Sequence, residues 1–101
     1  MTDVRPNDGS IARAAELFKI LSSPSRLTIL TLLAKSPSTV SHLVAMTGQS
    51  QPLVSQHLRT LRVAKVVTVD RVGREATYSI ADTHVTHVVE DAISHVLEDT
   101  P

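Results

Sequence analysis

The chain has 101 residues, 42% of them hydrophobic and 20% charged, which fits a single globular domain. It has no cysteine, so disulfides, thiolate nucleophiles and cysteine-rich zinc sites are excluded. The net charge is zero, but residues 51–74 carry five basic residues against one acid, whereas the residues after Arg74 carry six acids and no Lys or Arg. The first of these segments suits an anionic ligand and the second suits a cation.

The first half of the chain is predicted to be helical. We expect a flexible tail over residues 1–9, followed by one domain over residues 10–101. Ser10 is the predicted cap of the first helix, and Ser23 with the proline that follows it begins the second. The second helix is apolar over most of its surface, which indicates a central position.

A third and a fourth helix follow, and then a hairpin and a last helix. The third helix is predicted to end at Gly48 and the fourth to be capped by Ser50. Residues 66–70 and 75–80 are rich in strand formers and flank a hairpin tip at 71–74. A last helix is predicted over about 82–98. The predicted fold is therefore mainly α with a β-hairpin wing.

The third and fourth helices, joined through residues 47–49, have the arrangement of a helix-turn-helix. With Val54, Leu58 and Leu61 facing the core, the other side of the fourth helix is polar and can pair with base edges and phosphates. The predicted DNA contacts are Ser50, Gln51, Ser55, Gln56 and Arg59 on this helix and Arg71 and Arg74 on the hairpin. His57, beside the core positions, is interpreted as a partly buried structural residue. The sequence predicts a protein that binds double-stranded DNA.

Three segments resemble the ArsR/SmtB family of winged-helix repressors: LSSPSRLTIL at 21–30, SQPLVSQHLR at 50–59 and RVGREATY at 71–78. The resemblance extends over about residues 10–98. It implies a homodimer that binds palindromic operator DNA without metal and leaves the DNA when metal binds. The Cys-x-Cys metal site that some members carry in the third helix cannot form here, because residues 39–43 read TVSHL.

The last helix carries histidines and carboxylates on one side. At about 100° per residue, five of them fall within a sector of roughly 80°: His84, His87, Asp91, His95 and Glu98. Imidazole and carboxylate ligands suit zinc, cobalt or nickel. His84 and His95 are separated by about 16 Å along one helix, whereas zinc ligands lie about 2 Å from the ion. Two antiparallel copies of the helix can therefore form a site that one copy cannot.

In such a pair, Asp82 and His84 of one chain face His95 and Glu98 of the other, which predicts two equal tetrahedral sites per homodimer. The resemblance points to the same four residues and, with glutamate at the last place, to zinc. Cobalt or nickel, or a repressor that responds to no metal, are the alternatives. His87 and Asp91 have no place among the four ligands and are interpreted as residues that orient them or are simply solvated.

The sequence argues against an enzyme. A zinc hydrolase needs an open coordination position and a general base in a pocket, and here all four places would be filled at a helix seam. We therefore expect no small organic substrate. The polar start of the chain and the absence of an apolar stretch of about 18 residues predict a cytoplasmic protein without a membrane partner.

Overall fold

The computed structural model describes residues 6–98 and shows a winged helix-turn-helix, mainly helical with a small antiparallel sheet. The elements in chain order are α1 (Asp8–Leu21), α2 (Pro24–Lys35), β1 (Ser38–Thr39), α3 (Val40–Thr47), α4 (Gln51–Val63), β2 (Val67–Val72), β3 (Glu75–Ile80) and α5 (Thr83–Glu98). The predicted order of four helices, a hairpin and a last helix is confirmed.

The start of α1 differs from the prediction. The helix is capped by Asn7 and not by Ser10: Asn7 Oδ1 accepts from the Ser10 N–H, and Ser10 Oγ accepts from the Asn7 N–H, both at 2.8 Å. Asparagine caps as well as serine, and the reciprocal pair satisfies two backbone donors. Because the helix begins at Asp8, the predicted tail over residues 1–9 extends too far along the chain. Residues 1–5 lie outside the part that the structure describes.

The other predicted caps are confirmed. Ser23 Oγ accepts from the Arg26 N–H and Ser50 Oγ from the Leu53 N–H, both at 3.3 Å. Gly48 closes α3 with a φ of +70°, a left-handed conformation that glycine adopts without a Cβ clash. These local signals fix where α3 ends and where α4 begins.

The hairpin is tighter than predicted, and the sheet has a third strand. Val72 pairs with Glu75, so Gly73 and Arg74 alone form the turn and Arg71 belongs to β2. Gly73 occupies the first turn position with a φ of +63°. The unpredicted strand β1 pairs antiparallel with β3, giving the order β1-β3-β2.

The core lies between α2, α3, α4, the sheet and the first half of α5. Its buried members are Leu21, Ile29, Leu30, Leu33, Leu43, Val54, Leu58, Leu61, Val66, Val67, Val85 and Val89. Within residues 6–98 no single helix is long and apolar enough to cross a membrane; only α1 and α2 taken together, bent by 92°, satisfy length and composition.

Candidate DNA-binding surface and metal-binding helix

The inner side of α4 determines which of its residues face solvent. Val54, Leu58 and Leu61 are fully buried, because they recur at helical spacing against the core. This anchoring fixes the rotation of the helix. The residues predicted to contact DNA from α4 all lie exposed on the remaining surface: Ser50, Gln51, Ser55, Gln56 and Arg59.

The hairpin contributes to the same side of the molecule. Arg71 and Arg74 are both exposed, Arg71 in β2 and Arg74 in the turn. Arg74 and Gln51 line one cleft of about 220 Å³ together with the first residues of α3. The structure therefore brings the wing and the start of α4 together, as contact with one DNA duplex requires. We name this surface, formed by α4 and the β2–β3 hairpin, the basic face.

The helix-turn-helix is held to α2 by two side-chain hydrogen bonds. Gln49 Nε2, in the turn, donates to Ser25 Oγ at 2.6 Å. Arg26 Nε donates to His57 Nδ1 at 3.2 Å. The same side chain also bonds to α1, where Arg26 Nη1 donates to the Ile20 carbonyl at 3.0 Å. Burial, and next the charge of Arg26, lower the pKa of His57.

His57 therefore has the structural environment that the sequence predicted. Arg26 had not been singled out from the sequence, because its partner is 31 residues away along the chain. The only sequence signal that bears on Arg26 is the Ser-Pro start of α2, which places Arg26 in the first turn of that helix.

Asp82 and His84 lie together at the start of α5. Asp82 Oδ1 accepts from the His84 N–H at 2.9 Å and lies 3.2 Å from His84 Nδ1. The His84 side chain is 96% exposed, so its Nε2 is open to a ligand. Asp82 therefore acts as a helix cap with one oxygen, while its other oxygen makes no hydrogen bond within residues 6–98.

His95 and Glu98 lie at the opposite end of α5, one turn apart and both exposed. Within residues 6–98 of one chain, no three His, Asp or Glu side chains converge as a metal ion requires. The two pairs fit a zinc-type donor set of imidazole and carboxylate groups, but each pair alone supplies only half of four ligands. His87 and Asp91, also exposed, make no side-chain hydrogen bond in the described residues.

The apolar side of α5 is only partly covered. Val85 and Val89 enter the core, whereas Val96 and Leu97 are 65% and 64% exposed. The last turns of α5 and Leu27 of α2 line an apolar groove of about 240 Å³. A neighbouring groove includes Phe18 of α1, itself more than half exposed. We name this surface, formed by α1, Leu27 and the outer side of α5, the apolar seam.

Fold and surface together define a winged helix-turn-helix regulator. The model of the bacterial regulatory protein arsR family matches residues 23–69, from the start of α2 into β2. The HTH-type transcriptional repressor SmtB of Mycobacterium tuberculosis (strain H37Rv) is 46% identical over 86 residues, which are 85% of this chain and 64% of that protein. The HTH-type transcriptional regulator NmtR of the same strain is 43% identical over 84 residues, 83% of this chain and 70% of that protein. The chain belongs to the arsR family of bacterial regulatory proteins.

Solved structures agree with this assignment. The solution structure of apo-NmtR superposes with a TM-score of 0.78 at 37% identity, covering 96% of this chain and 82% of that one. The homodimeric winged helix-turn-helix DNA-binding domain Mb0332 (fragment 1–100) from Mycobacterium bovis, a possible ArsR-family transcriptional regulator, gives 0.75 at 27% identity, covering 98% and 91%. The predicted fold class is confirmed, and the family is one of regulators and not of enzymes. The chain spans 64% of the length of the SmtB repressor.

Proposed function

We propose that this protein is a homodimeric transcriptional repressor that binds operator DNA without metal and is released by zinc held between two α5 helices. One observation carries the proposal: the four proposed ligands lie in two pairs, one at each end of α5. Asp82 and His84 are held 3.2 Å apart at one end, and His95 and Glu98 lie at the other. Its place of action is the cytoplasm, where operator DNA is found.

The apolar seam supports the homodimer. Its exposed residues lie beside the core, and Val96 and Leu97 leave a contiguous apolar surface that a second copy can cover. The M. bovis neighbour is a homodimer. An antiparallel pair of α5 helices about a two-fold axis brings Asp82 and His84 of one protomer opposite the partner's His95 and the partner's Glu98.

The basic face supports binding of DNA. Gln51 and Gln56 can pair with adenine edges, and Arg59, Arg71 and Arg74 can contact guanine or phosphate. All five are exposed, and Gln51 and Arg74 line one cleft. The SmtB relative is a transcriptional repressor, which favours repression over activation.

The two sites are connected by a coupling free energy, which in allosteric proteins is typically about 1–3 kcal/mol, or about 5- to 150-fold in affinity. A bound zinc ion would cross-link the two α5 helices. The ligand residues of α5 would hold the ion and change the geometry of the dimer. The shared core would transmit this change from α5 through α2 to α4. By reciprocity, DNA must weaken zinc binding by the same factor.

The metal site is tested by titrating cobalt(II) as a spectroscopic substitute for zinc. We expect intense tetrahedral bands that saturate at about one ion per chain, and loss of these bands in His95→Ala. His87→Ala is the matched control, because His87 lies on the same side of α5 but outside the four ligands; it should keep the bands. Weak octahedral bands would favour the cobalt or nickel alternative, and no bands at all would remove the metal.

The coupling is tested with a DNA duplex of about 30 base pairs, long enough for two half-sites, that the metal-free protein selects from a random library. Fluorescence anisotropy should show at least about tenfold weaker binding with zinc than with chelator for the wild type and for His87→Ala. His95→Ala should bind the duplex equally with and without zinc. Equal wild-type affinities with and without zinc would leave a DNA-binding repressor that does not sense metal.

A further inference from the structure

Three helices meet at one side chain behind the basic face. Arg26, in the first turn of α2, donates to the carbonyl of Ile20 in the last turn of α1 and to His57 Nδ1 on α4. Among the described residues it is the only side chain that hydrogen-bonds to both α1 and α4. The contact to Ile20 also satisfies a carbonyl that the end of α1 leaves without a helical partner.

His57 lies between the buried and the exposed sides of α4. It directly precedes the fully buried Leu58 and directly follows Gln56, which the proposed function places against DNA. Because successive residues are rotated by about 100° around a helix, a restraint on His57 restrains the direction of Gln56. The restraint therefore acts close to the DNA-facing residues of α4. It does not depend on Leu61, the buried residue that anchors the C-terminal end of this helix.

We propose that Arg26 is a positioning residue for DNA recognition: by donating to neutral His57, it holds α4 at a fixed rotation on α1 and α2. This inference rests on the proposed DNA-binding function. The Arg26–His57 contact connects the basic face to the body of the protein. Only the neutral form of His57 can make it.

The chemistry of the contact is selective for the neutral imidazole. Nδ1 accepts from Arg26 only when it carries no proton, so the ring proton lies on Nε2. The lowered pKa of His57, caused by burial and by Arg26, favours the same form. A second proton would place two cations side by side.

The surroundings offer no compensation for that second charge. Within residues 6–98, no carboxylate lies within 4 Å of Arg26 or His57. Arg26 is the charged group that α2 directs at the imidazole, and α1 contributes the Ile20 carbonyl to the junction. The cations nearest in sequence on α1 and α4, Lys19 and Arg59, are exposed and of the same sign. Protonation of His57 therefore breaks the contact, and DNA binding should weaken as the pH falls.

This sign distinguishes the junction from an ordinary surface histidine. A histidine that lies near DNA phosphates strengthens DNA binding when it gains a charge. A fall in affinity on acidification, carried by His57, is not expected from charge alone.

The test uses metal-free protein in chelator and the library-selected duplex, with affinities measured at about pH 7.5 and 5.5, on either side of the ordinary histidine pKa. Arg26→Gln and His57→Leu should each bind about tenfold more weakly at the higher pH, because each leaves half of a charged hydrogen bond without its partner. His57→Asn is the matched variant, since Asn Oδ1 replaces Nδ1 as acceptor; it should bind at least about threefold more tightly than His57→Leu. Between the two pH values the wild type should lose affinity relative to His57→Asn, by less than the roughly tenfold that an ordinary histidine pKa would give, because the pKa of His57 is lowered.

A readout without DNA accompanies this comparison. Nitrogen-detected spectra of the imidazoles should show His57 with its proton on Nε2 at neutral pH, and the pKa of His57 should rise in Arg26→Gln. If Arg26→Gln does not fold, as circular dichroism will show, the contrast of His57→Leu with His57→Asn and the wild-type spectrum decide the matter.

The outcomes separate the two proposals. Wild-type protein that binds its duplex while Arg26→Gln and His57→Leu bind it equally well would overturn the positioning role and leave the proposed function intact. A proton on Nδ1 of His57 would also overturn it. Wild-type protein that selects no duplex would overturn the proposed function, and the positioning role with it.

Discussion

The basic face and α5 represent two ways of presenting a functional surface. α4 is anchored along its length by Val54, Leu58 and Leu61, and the polar side chains that it presents are fixed within one chain. α5 is anchored only at its start, by Val85 and Val89, and every residue from 90 to 98 is exposed. The proposed DNA-binding surface is thus a property of the folded chain, whereas the proposed ligand set on α5 would be completed only by a second copy.

This difference indicates where stability and where responsiveness reside. A helix that reads base edges must be held rigidly, because small displacements break paired hydrogen bonds. A helix that reports a metal must lie in an environment that the metal can change. Substitutions in the two regions should therefore differ in kind.

Removing the anchor of α4 should have the largest effect. Leu58→Ala deletes a fully buried side chain and should lower the free energy of unfolding by about 2–5 kcal/mol, as measured by urea denaturation. Val63→Ala, on the same helix but 74% exposed, should change it by less than about 0.5 kcal/mol. Equal effects of the two substitutions would mean that the core does not anchor α4 as described.

On α5, a charge should break the dimer and spare the fold. Leu97→Glu places a carboxylate in the apolar seam, and the cost of burying it should weaken dimerisation by about 100-fold. Sedimentation equilibrium measures this, and the helical circular dichroism signal should persist. Val63→Glu changes an apolar residue on α4 that is 74% exposed, and it should leave the dimer intact. A Leu97→Glu protein that stays dimeric at all concentrations would place the interface elsewhere.

On the basic face, truncation should weaken DNA binding and leave metal binding unaffected. Gln56→Ala removes a side chain that can pair with a base edge, and should cost about 1–3 kcal/mol of binding to the selected duplex. Lys19→Ala, an exposed change on α1, is the control and should bind as the wild type does. Altered cobalt bands in Gln56→Ala would argue against the separation of the two regions.

The smallest effect is a pH dependence of stability from His57. Because burial and Arg26 lower its pKa in the folded state, the unfolded chain takes up a proton first as the pH falls through the ordinary value of about 6.5. The contribution of His57 to stability is therefore present in full above that pH and is lost below it. Urea denaturation at several pH values should show a steeper loss in the wild type than in His57→Asn. Parallel curves would contradict the lowered pKa.

The features that the sequence predicted well are local ones. Ser23, Gly48 and Ser50 mark helix ends by contacts within a few residues, and each occurs where predicted. The start of α1 was misplaced because Asn7 and Ser10 are both good caps and each bonds to the other. This error arose because two equally good capping residues compete for one helix start.

The features that the sequence could not show depend on distant pairing. β1 has only two residues after a proline, too short for any periodicity, and exists because Ser38 meets Tyr78 in the sheet. The Arg26–His57 contact joins residues 31 apart. The positions of the two residue pairs at the ends of α5 were predictable from helical spacing, but the metal site that we propose for them would need a second chain.

The most direct test of the central claim is to mix two inactive variants. In a heterodimer of His84→Ala with His95→Ala, one shared site carries both lesions and the other carries none. If each site takes Asp82 and His84 from one protomer and the partner's His95 and the partner's Glu98, neither variant alone should show tetrahedral cobalt bands. After unfolding and refolding together in equal amounts, random pairing should then restore about one quarter of the wild-type bands. A mixture that remains as silent as its two components would contradict a metal site shared between two α5 helices.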